Sequence, residues 1–98
     1  MEIKFGNLKM QLENQKVFIE NERVHLTLHQ FNILWMLLKR KGDIVPRSEI
    51  IKTVWEGVFV EERTCDCHVS KLNKAIKEAN IKVNGWAGNG YIAMLKSN

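Results

Sequence analysis

The chain is short of nearly everything that marks a specialised sequence class. It has one proline and six glycines in 98 residues, which excludes a collagen-like repeat, a proline-rich spacer and a glycine/serine tether. Its longest unbroken apolar run is Ile33 to Leu38, six residues, against the roughly 20 that a membrane span needs. The first residues, Met1-Glu2-Ile3-Lys4-Phe5, lack the basic start and long apolar core of an export signal. There are two cysteines, Cys65 and Cys67, too close in sequence to form a disulfide framework. Together these absences point to a reducing compartment, the cytoplasm, and to no membrane association. No Ser/His/Asp set, carboxylate pair or phosphate-cradling loop has supporting spacing, so no enzyme is expected. Gly88-Asn89-Gly90 is too short for a dinucleotide fingerprint.

What remains is an ordinary soluble composition, 45% apolar and 27% charged, with a net charge of +4. A chain of this size can bury roughly 60–70% of its unfolded surface and so fold unaided. Neither a linker nor an internal repeat divides it, and residues 1–98 are expected to form one domain. The charge is uneven. Residues 1–38 hold Lys4, Lys9, Lys16 and Arg23 against Glu2, Glu13, Glu20 and Glu22, a sum of zero. The whole +4 therefore lies from Lys39 onward, which hints at a polyanionic partner.

Residues 1–26 alternate with period two: Ile3 and Phe5; Leu8, Met10 and Leu12; Val17 and Ile19; Val24 and Leu26. Turn-like stretches separate these runs, so the segment reads as a small antiparallel meander with one buried face. The period then changes. Thr27 and Gln30 have capping-box spacing, and Leu28, Phe31, Leu34, Trp35 and Leu38 form a helical stripe. This predicts a helix over 28–41 closed by Gly42. Pro46 then opens a short helix over 47–56. A third helix is predicted over 61–79. On its wheel Cys65, Val69, Leu72 and Ile76 form the core side, with Arg63, Cys67, Lys71 and Lys74 opposite and Thr64 and His68 at the edge. Cys65 and Cys67 point about 200° apart on such a helix, so they cannot converge on zinc, and no metal or other cofactor is expected. His25 and His29 read as surface residues. The tail reads as a hairpin, in which Asn84-Gly85 and Asn89-Gly90 compete for the turn.

Helix, short helix, basic-faced helix and hairpin is the order of a winged helix-turn-helix. Val58-Phe59-Val60-Glu61-Glu62-Arg63-Thr64-Cys65-Asp66-Cys67-His68-Val69-Ser70-Lys71-Leu72-Asn73-Lys74-Ala75-Ile76 resembles the recognition-helix signature of the OmpR/PhoB-type effector domain of response regulators. So do Leu26 to Phe31, Gly42 to Arg47, Val54-Trp55 and Gly88 to Tyr91, so that the resemblance spans essentially the whole chain. It implies an α+β fold: an N-terminal antiparallel four-stranded sheet, three helices and a C-terminal β-hairpin wing.

The function implied is sequence-specific binding of double-stranded DNA at direct-repeat promoter sites by a bacterial two-component regulator. Recognition helix 61–79 would enter the major groove, with wing 81–95 near the adjacent minor groove. Thr64, Cys67 and Lys71 would meet base edges. Arg47, Trp55, Arg63, His68, Lys74 and Tyr91 would hold phosphates, and Asn84 and Asn89 would serve the wing. Val58, Phe59, Val60 and Glu61 match the loop that contacts RNA polymerase, and the family pairs head to tail on DNA. About four cations per subunit would give a slope near −4 for log affinity against log salt.

The sequence also departs from the family. Ser70 and Asn73 stand where basic residues are usual, Ala87 replaces the Arg ahead of the Gly-x-Gly-Tyr turn, and Pro46 replaces a common Ser. No residue from Val83 to Leu95 is charged, so the wing has no Arg to insert into a minor groove. The neutral wing and the missing basic residues at Ser70 and Asn73 favour the alternative, a degenerate winged helix with weak or no DNA binding that serves as a protein-interaction module through the polymerase-facing loop or the N-terminal sheet.

Overall fold

The computed structural model describes residues 1–96, so the last two residues of the expected 1–98 domain lie outside the described residues. Four short strands open it: β1 (Glu2–Phe5), β2 (Leu8–Gln11), β3 (Lys16–Ile19) and β4 (Glu22–Val24), paired antiparallel in chain order. Register sets Ile3, Met10, Val17 and Val24 side by side, with Phe5, Leu8 and Ile19 in the next inward row. Leu8, Met10, Val17 and Ile19 are buried, as the alternation predicts. Leu12 departs from it and is exposed: β2 ends at Gln11, and Leu12 enters the turn, where its N–H donates to the Met1 carbonyl at 3.0 Å. The β3–β4 turn is Glu20-Asn21, at φ 50° and 70°, the left-handed pair of a tight hairpin.

Helix α1 (Leu28–Lys39) starts on a full capping box. Thr27 Oγ1 accepts from the Gln30 N–H at 3.2 Å, and Gln30 Oε1 accepts from the Thr27 N–H at 3.0 Å. It ends two residues before the expected 41. Arg40 caps it, and Gly42 follows at φ +91° rather than closing the helix itself. Arg40 forms an ion pair with Glu49. Leu28 of the expected stripe is exposed, whereas Ile33 and Leu37 are buried along with Phe31, Leu34, Trp35 and Leu38. Apolar residues surround α1 because it packs on several sides, against β1 and the elements that follow.

Strand β5 (Val45–Pro46) leads into α2 (Arg47–Val54), whose cap is Pro46 at φ −58° with no side-chain hydrogen bond. Helix α3 (Glu62–Ala75) follows. Both are shorter than the expected 47–56 and 61–79, with Trp55 and Ile76 as their C-caps. Strands β6 (Ile81–Trp86) and β7 (Gly90–Leu95) form the hairpin, and β5 joins its β7 edge, giving a second sheet in the order β5-β7-β6. Trp86 pairs with Gly90, so the turn is Ala87-Gly88-Asn89, and neither Asn-Gly pair forms its centre. Ala87 and Gly88 carry the left-handed φ values, 55° and 73°, and the Asn89 N–H donates to the Trp86 carbonyl at 3.2 Å. Asn84-Gly85 continues β6 opposite Ile92 and Tyr91. A Cβ on Gly90 would lie 2.7 Å from the Val45 carbonyl oxygen, so the approach of β5 requires glycine there.

Three asparagines fasten the parts together. Asn73 of α3 donates from Nδ2 to the Val83 carbonyl at 2.8 Å and accepts the Val83 N–H on Oδ1 at 3.0 Å, fixing the helix to β6. Asn7 and Asn80 exchange reciprocal backbone-to-side-chain bonds of 2.9 and 2.8 Å, joining the first turn of the meander to the α3–β6 connection.

Candidate nucleic-acid interface

Helix α3 is strongly two-sided. Cys65, Val69 and Leu72, with Ile76 just beyond, are buried in the core. Arg63, Cys67, Lys71 and Lys74 are exposed, and Thr64 and His68 are half-buried at the margin. Arg63, Thr64, Cys67, His68 and Lys71 line one shallow depression with Glu61, so the three residues expected at base edges share a surface with two of those expected at phosphates. Lys74 stands on the same side, three residues beyond Lys71. Ser70 is exposed, whereas Asn73 is occupied with β6, which gives a structural reason for its departure from the basic pattern.

Arg47 and Tyr91 converge on Asp66, a residue the sequence reading left without a role. Asp66 Oδ1 accepts from Arg47 Nε at 2.9 Å and from the Tyr91 hydroxyl. Arg47 Nη1 also donates to the Gly88 carbonyl at 3.2 Å and lies 3.6 Å from the exposed Glu62 carboxylate. Its backbone N–H donates to the Asn89 carbonyl at 2.9 Å. One carboxylate on α3 thereby holds the first residue of α2 and the second residue of β7. Burial disfavours the Arg47 charge, but Asp66 outweighs it and the guanidinium pKa is raised. The Tyr91 hydroxyl is pushed up to about 12, first by burial and then by its hydrogen bond to Asp66 and the charge there. The one sequence signal for this cluster was an acid in the middle of an otherwise basic helix.

The other expected phosphate residues sit differently. Trp55 is 8% exposed, and its ring packs against His29 at 4.9 Å and His68 at 5.1 Å between centroids. His29 is therefore half-buried in an aromatic cluster rather than free on the surface; His25 is exposed. His68 Nδ1 lies 2.8 Å from the Thr64 carbonyl oxygen, which needs the proton on Nδ1. In the loop before α3, Val58 and Phe59 are 62% and 89% exposed, whereas Val60 packs on the core and Glu61 serves as the helix cap residue. Asn89 is exposed in the hairpin turn and Asn84 half-buried on β6. Trp86, at the end of β6, is 51% exposed. Among the described residues no three His, Cys, Asp or Glu side chains come together as metal ligands. No helix among them is long and apolar enough to cross a membrane.

A four-stranded antiparallel sheet, three helices with an outward basic face on the third, and a terminal hairpin beside it define a winged helix-turn-helix. The model of the family described as "Transcriptional regulatory protein, C terminal" matches residues 21–93, and the chain belongs to this family, the OmpR/PhoB-type effector domains, which are transcription-factor domains and not enzymes. It is 30% identical over 92 residues to the phosphate regulon transcriptional regulatory protein PhoB of Rhizobium meliloti, covering 91% of this chain and 40% of that protein. The chain thus spans about two fifths of the length of the curated relatives it matches. The crystal structure of DrrB, an OmpR/PhoB homologue from Thermotoga maritima, superposes with a TM-score of 0.84 at 29% identity, over 98% of this chain and 44% of that one. The RstA DNA-binding domain of Klebsiella pneumoniae, solved in complex with its RstA box, gives 0.80 at 27% identity, over 93% and 94%.

Proposed function

We propose that this chain binds double-stranded DNA sequence-specifically, as the effector part of a bacterial transcriptional regulator, with α3 in the major groove. The observation that carries this reading is the exposed side of α3: Arg63, Cys67, Lys71 and Lys74 stand clear of the core, with no acid among them, on a helix whose other side is locked in place. A B-form major groove, about 12 Å wide, admits one such helix. Lys71 donates to guanine N7 or O6, Cys67 packs on a thymine methyl, and Thr64 reaches a neighbouring base. Arg63 and Lys74 hold phosphates, and His68, at the margin of the same surface, adds another. The ring N–H of Trp55 reaches the backbone at the margin. Arg47 offers a phosphate the guanidinium edge that Asp66 does not use, and an incoming phosphate takes the place of the loosely held Glu62. Tyr91, whose one hydroxyl proton goes to Asp66, positions that site; of the phosphate role expected of it, only this part remains.

The uncharged wing contributes backbone N–H groups, Asn84, Asn89 and the exposed Trp86 rather than a cation. The exposed Phe59 and Val58 suit the RNA polymerase contact of this family, with Val60 and Glu61 as the anchored end of that loop. Direct-repeat sites would seat two copies head to tail.

Because Asp66 already balances the Arg47 charge, a phosphate at Arg47 meets no net cation there, and the cations that displace counterions are Arg63, Lys71 and Lys74. The expected slope of log affinity against log salt is then about −3, shallower than the −4 that includes Arg47. Titrating a site selected from random sequence, and a scrambled duplex, across salt concentrations tests the reading. Equal affinity for both duplexes, or a slope near zero, overturns it.

A further inference from the structure

The meander hides a charge pattern that its zero net charge conceals. Cross-strand register places Lys4 opposite Lys9, Lys9 opposite Phe18 and Phe18 opposite Arg23, one outward row across all four strands. The adjacent outward row is Glu2, Gln11 and Lys16. All four cations of residues 1–38 thus share the outer face of the sheet with a single acid, Glu2, which lies 4.0 Å from Lys9. The other acids sit in turns (Glu13, Glu20) or at the start of the edge strand β4 (Glu22). Among the described residues Lys4, Lys16 and Arg23 have no ion-pair partner. Lys41 adds a cation at the β1 edge rather than on the outer face, its Nζ donating to the Lys4 carbonyl at 3.4 Å and lying 5.6 Å from the ring centroid of the inward Phe5. Like charges directly opposite each other destabilise a sheet, so the Lys4–Lys9 pair works against the fold that carries it.

We propose that this face docks an acidic amphipathic helix of a protein partner. Adjacent strands lie about 4.8 Å apart, so the row presents cation, cation, aromatic, cation at roughly 0, 5, 10 and 14 Å. A helix rising about 1.5 Å per residue and lying across the strands offers side chains at i, i+3, i+7 and i+10 at nearly the same intervals. Acids at the first, second and fourth of these positions and an apolar residue at the third match the row one to one. One observation argues against a nucleic acid here. Helix α1 separates this sheet from α2 and α3, whose main contacts are with α1, each other and the hairpin sheet, so a duplex on α3 does not reach the outer face. Phenylalanine and arginine in one patch suit a protein interface.

The test uses nitrogen-15 labelled protein and a synthetic, end-capped helical peptide with Glu at i, i+3 and i+10 and Leu at i+7. The expected shifts centre on the amides of Lys4, Lys9, Phe18 and Arg23, weaken with salt, and vanish for the peptide carrying Gln in place of Glu. Lys9→Glu with Arg23→Glu should weaken peptide binding by about tenfold or more. The same variant should keep its affinity for DNA, which separates failure here from failure of the DNA reading. If the double reversal unfolds the sheet, Arg23→Gln alone carries the same comparison. Peptide shifts centred on α3, undiminished binding by the folded variant, or oligothymidylate displacing the peptide from the sheet each overturns the proposal.

Discussion

Asp66 gathers donors from two other elements, and its effect should be readable in a single chromophore. Tyr91 is the only tyrosine in the chain, so alkaline absorbance titration reports it alone. The expected midpoint is about 12, against an ordinary value near 10. Tyr91 is protonated in both folded and unfolded chains at neutral pH. Between the ordinary pKa and the raised one the unfolded state alone loses its proton, so stability should fall as pH rises through that window. Asp66→Asn keeps an acceptor but removes the charge, and should bring the midpoint down; a midpoint unchanged in that variant would show that burial alone sets it. The cysteines give a second reading at this scale. Cys65 is fully buried, and burial followed by the Asp66 charge pushes its thiol up to about 11, whereas Cys67 is exposed. Under native conditions an alkylating reagent should add one label per chain, at Cys67, by mass spectrometry. Bound DNA should slow that labelling, and no protection at saturation would place Cys67 away from the duplex.

Among the elements, α3 separates its two jobs by side. Lys71→Ala should lower discrimination between the selected and scrambled duplexes by about 1–3 kcal/mol, whereas Arg63→Ala should weaken both alike and flatten the salt slope by about 1. Competition binding on the two duplexes distinguishes these outcomes. In the hairpin, Gly90→Ala drives a methyl against the Val45 carbonyl and should cost about 1–3 kcal/mol in urea unfolding. The two-sidedness of α3 was legible in the sequence, because Cys65, Val69, Leu72 and Ile76 repeat at helical spacing. Its end was not. Ile76 and Ala79 are still buried after the backbone has left the helix, so the hydrophobic pattern outlasts the element. Two Asn-Gly pairs compete for the hairpin turn in the sequence; Asn84-Gly85, a strong turn signal locally, is held in β6 by pairing with β7, and the turn falls just ahead of Gly90. The Asp66 cluster and the cationic row on the meander depend on which residues meet across strands and helices, and neither composition nor periodicity encodes that.

At the scale of the whole molecule, the Asn7–Asn80 exchange joins residues 73 positions apart. Asn80→Ala removes its side-chain half and leaves the Asn7 N–H to solvent. The expected loss is about 0.5–1.5 kcal/mol, because the site is exposed and water replaces the partner. Equilibrium urea unfolding measures it, and a double-mutant cycle with Asn7→Ala isolates the coupling. A loss confined to the meander, with α3 unaffected in hydrogen exchange, would show that the two regions open separately.

The meander also bears on where this protein can be cut. The family model's match begins at residue 21, yet Leu8, Met10, Val17 and Ile19 fill the same hydrophobic cluster as α1 and α3. A fragment trimmed to the matched segment would uncover the apolar flank of α1, and its natural fate in an expression host is the insoluble fraction. The smallest soluble fragment should therefore begin ahead of β1, although the span of the family model alone would draw the boundary after β3.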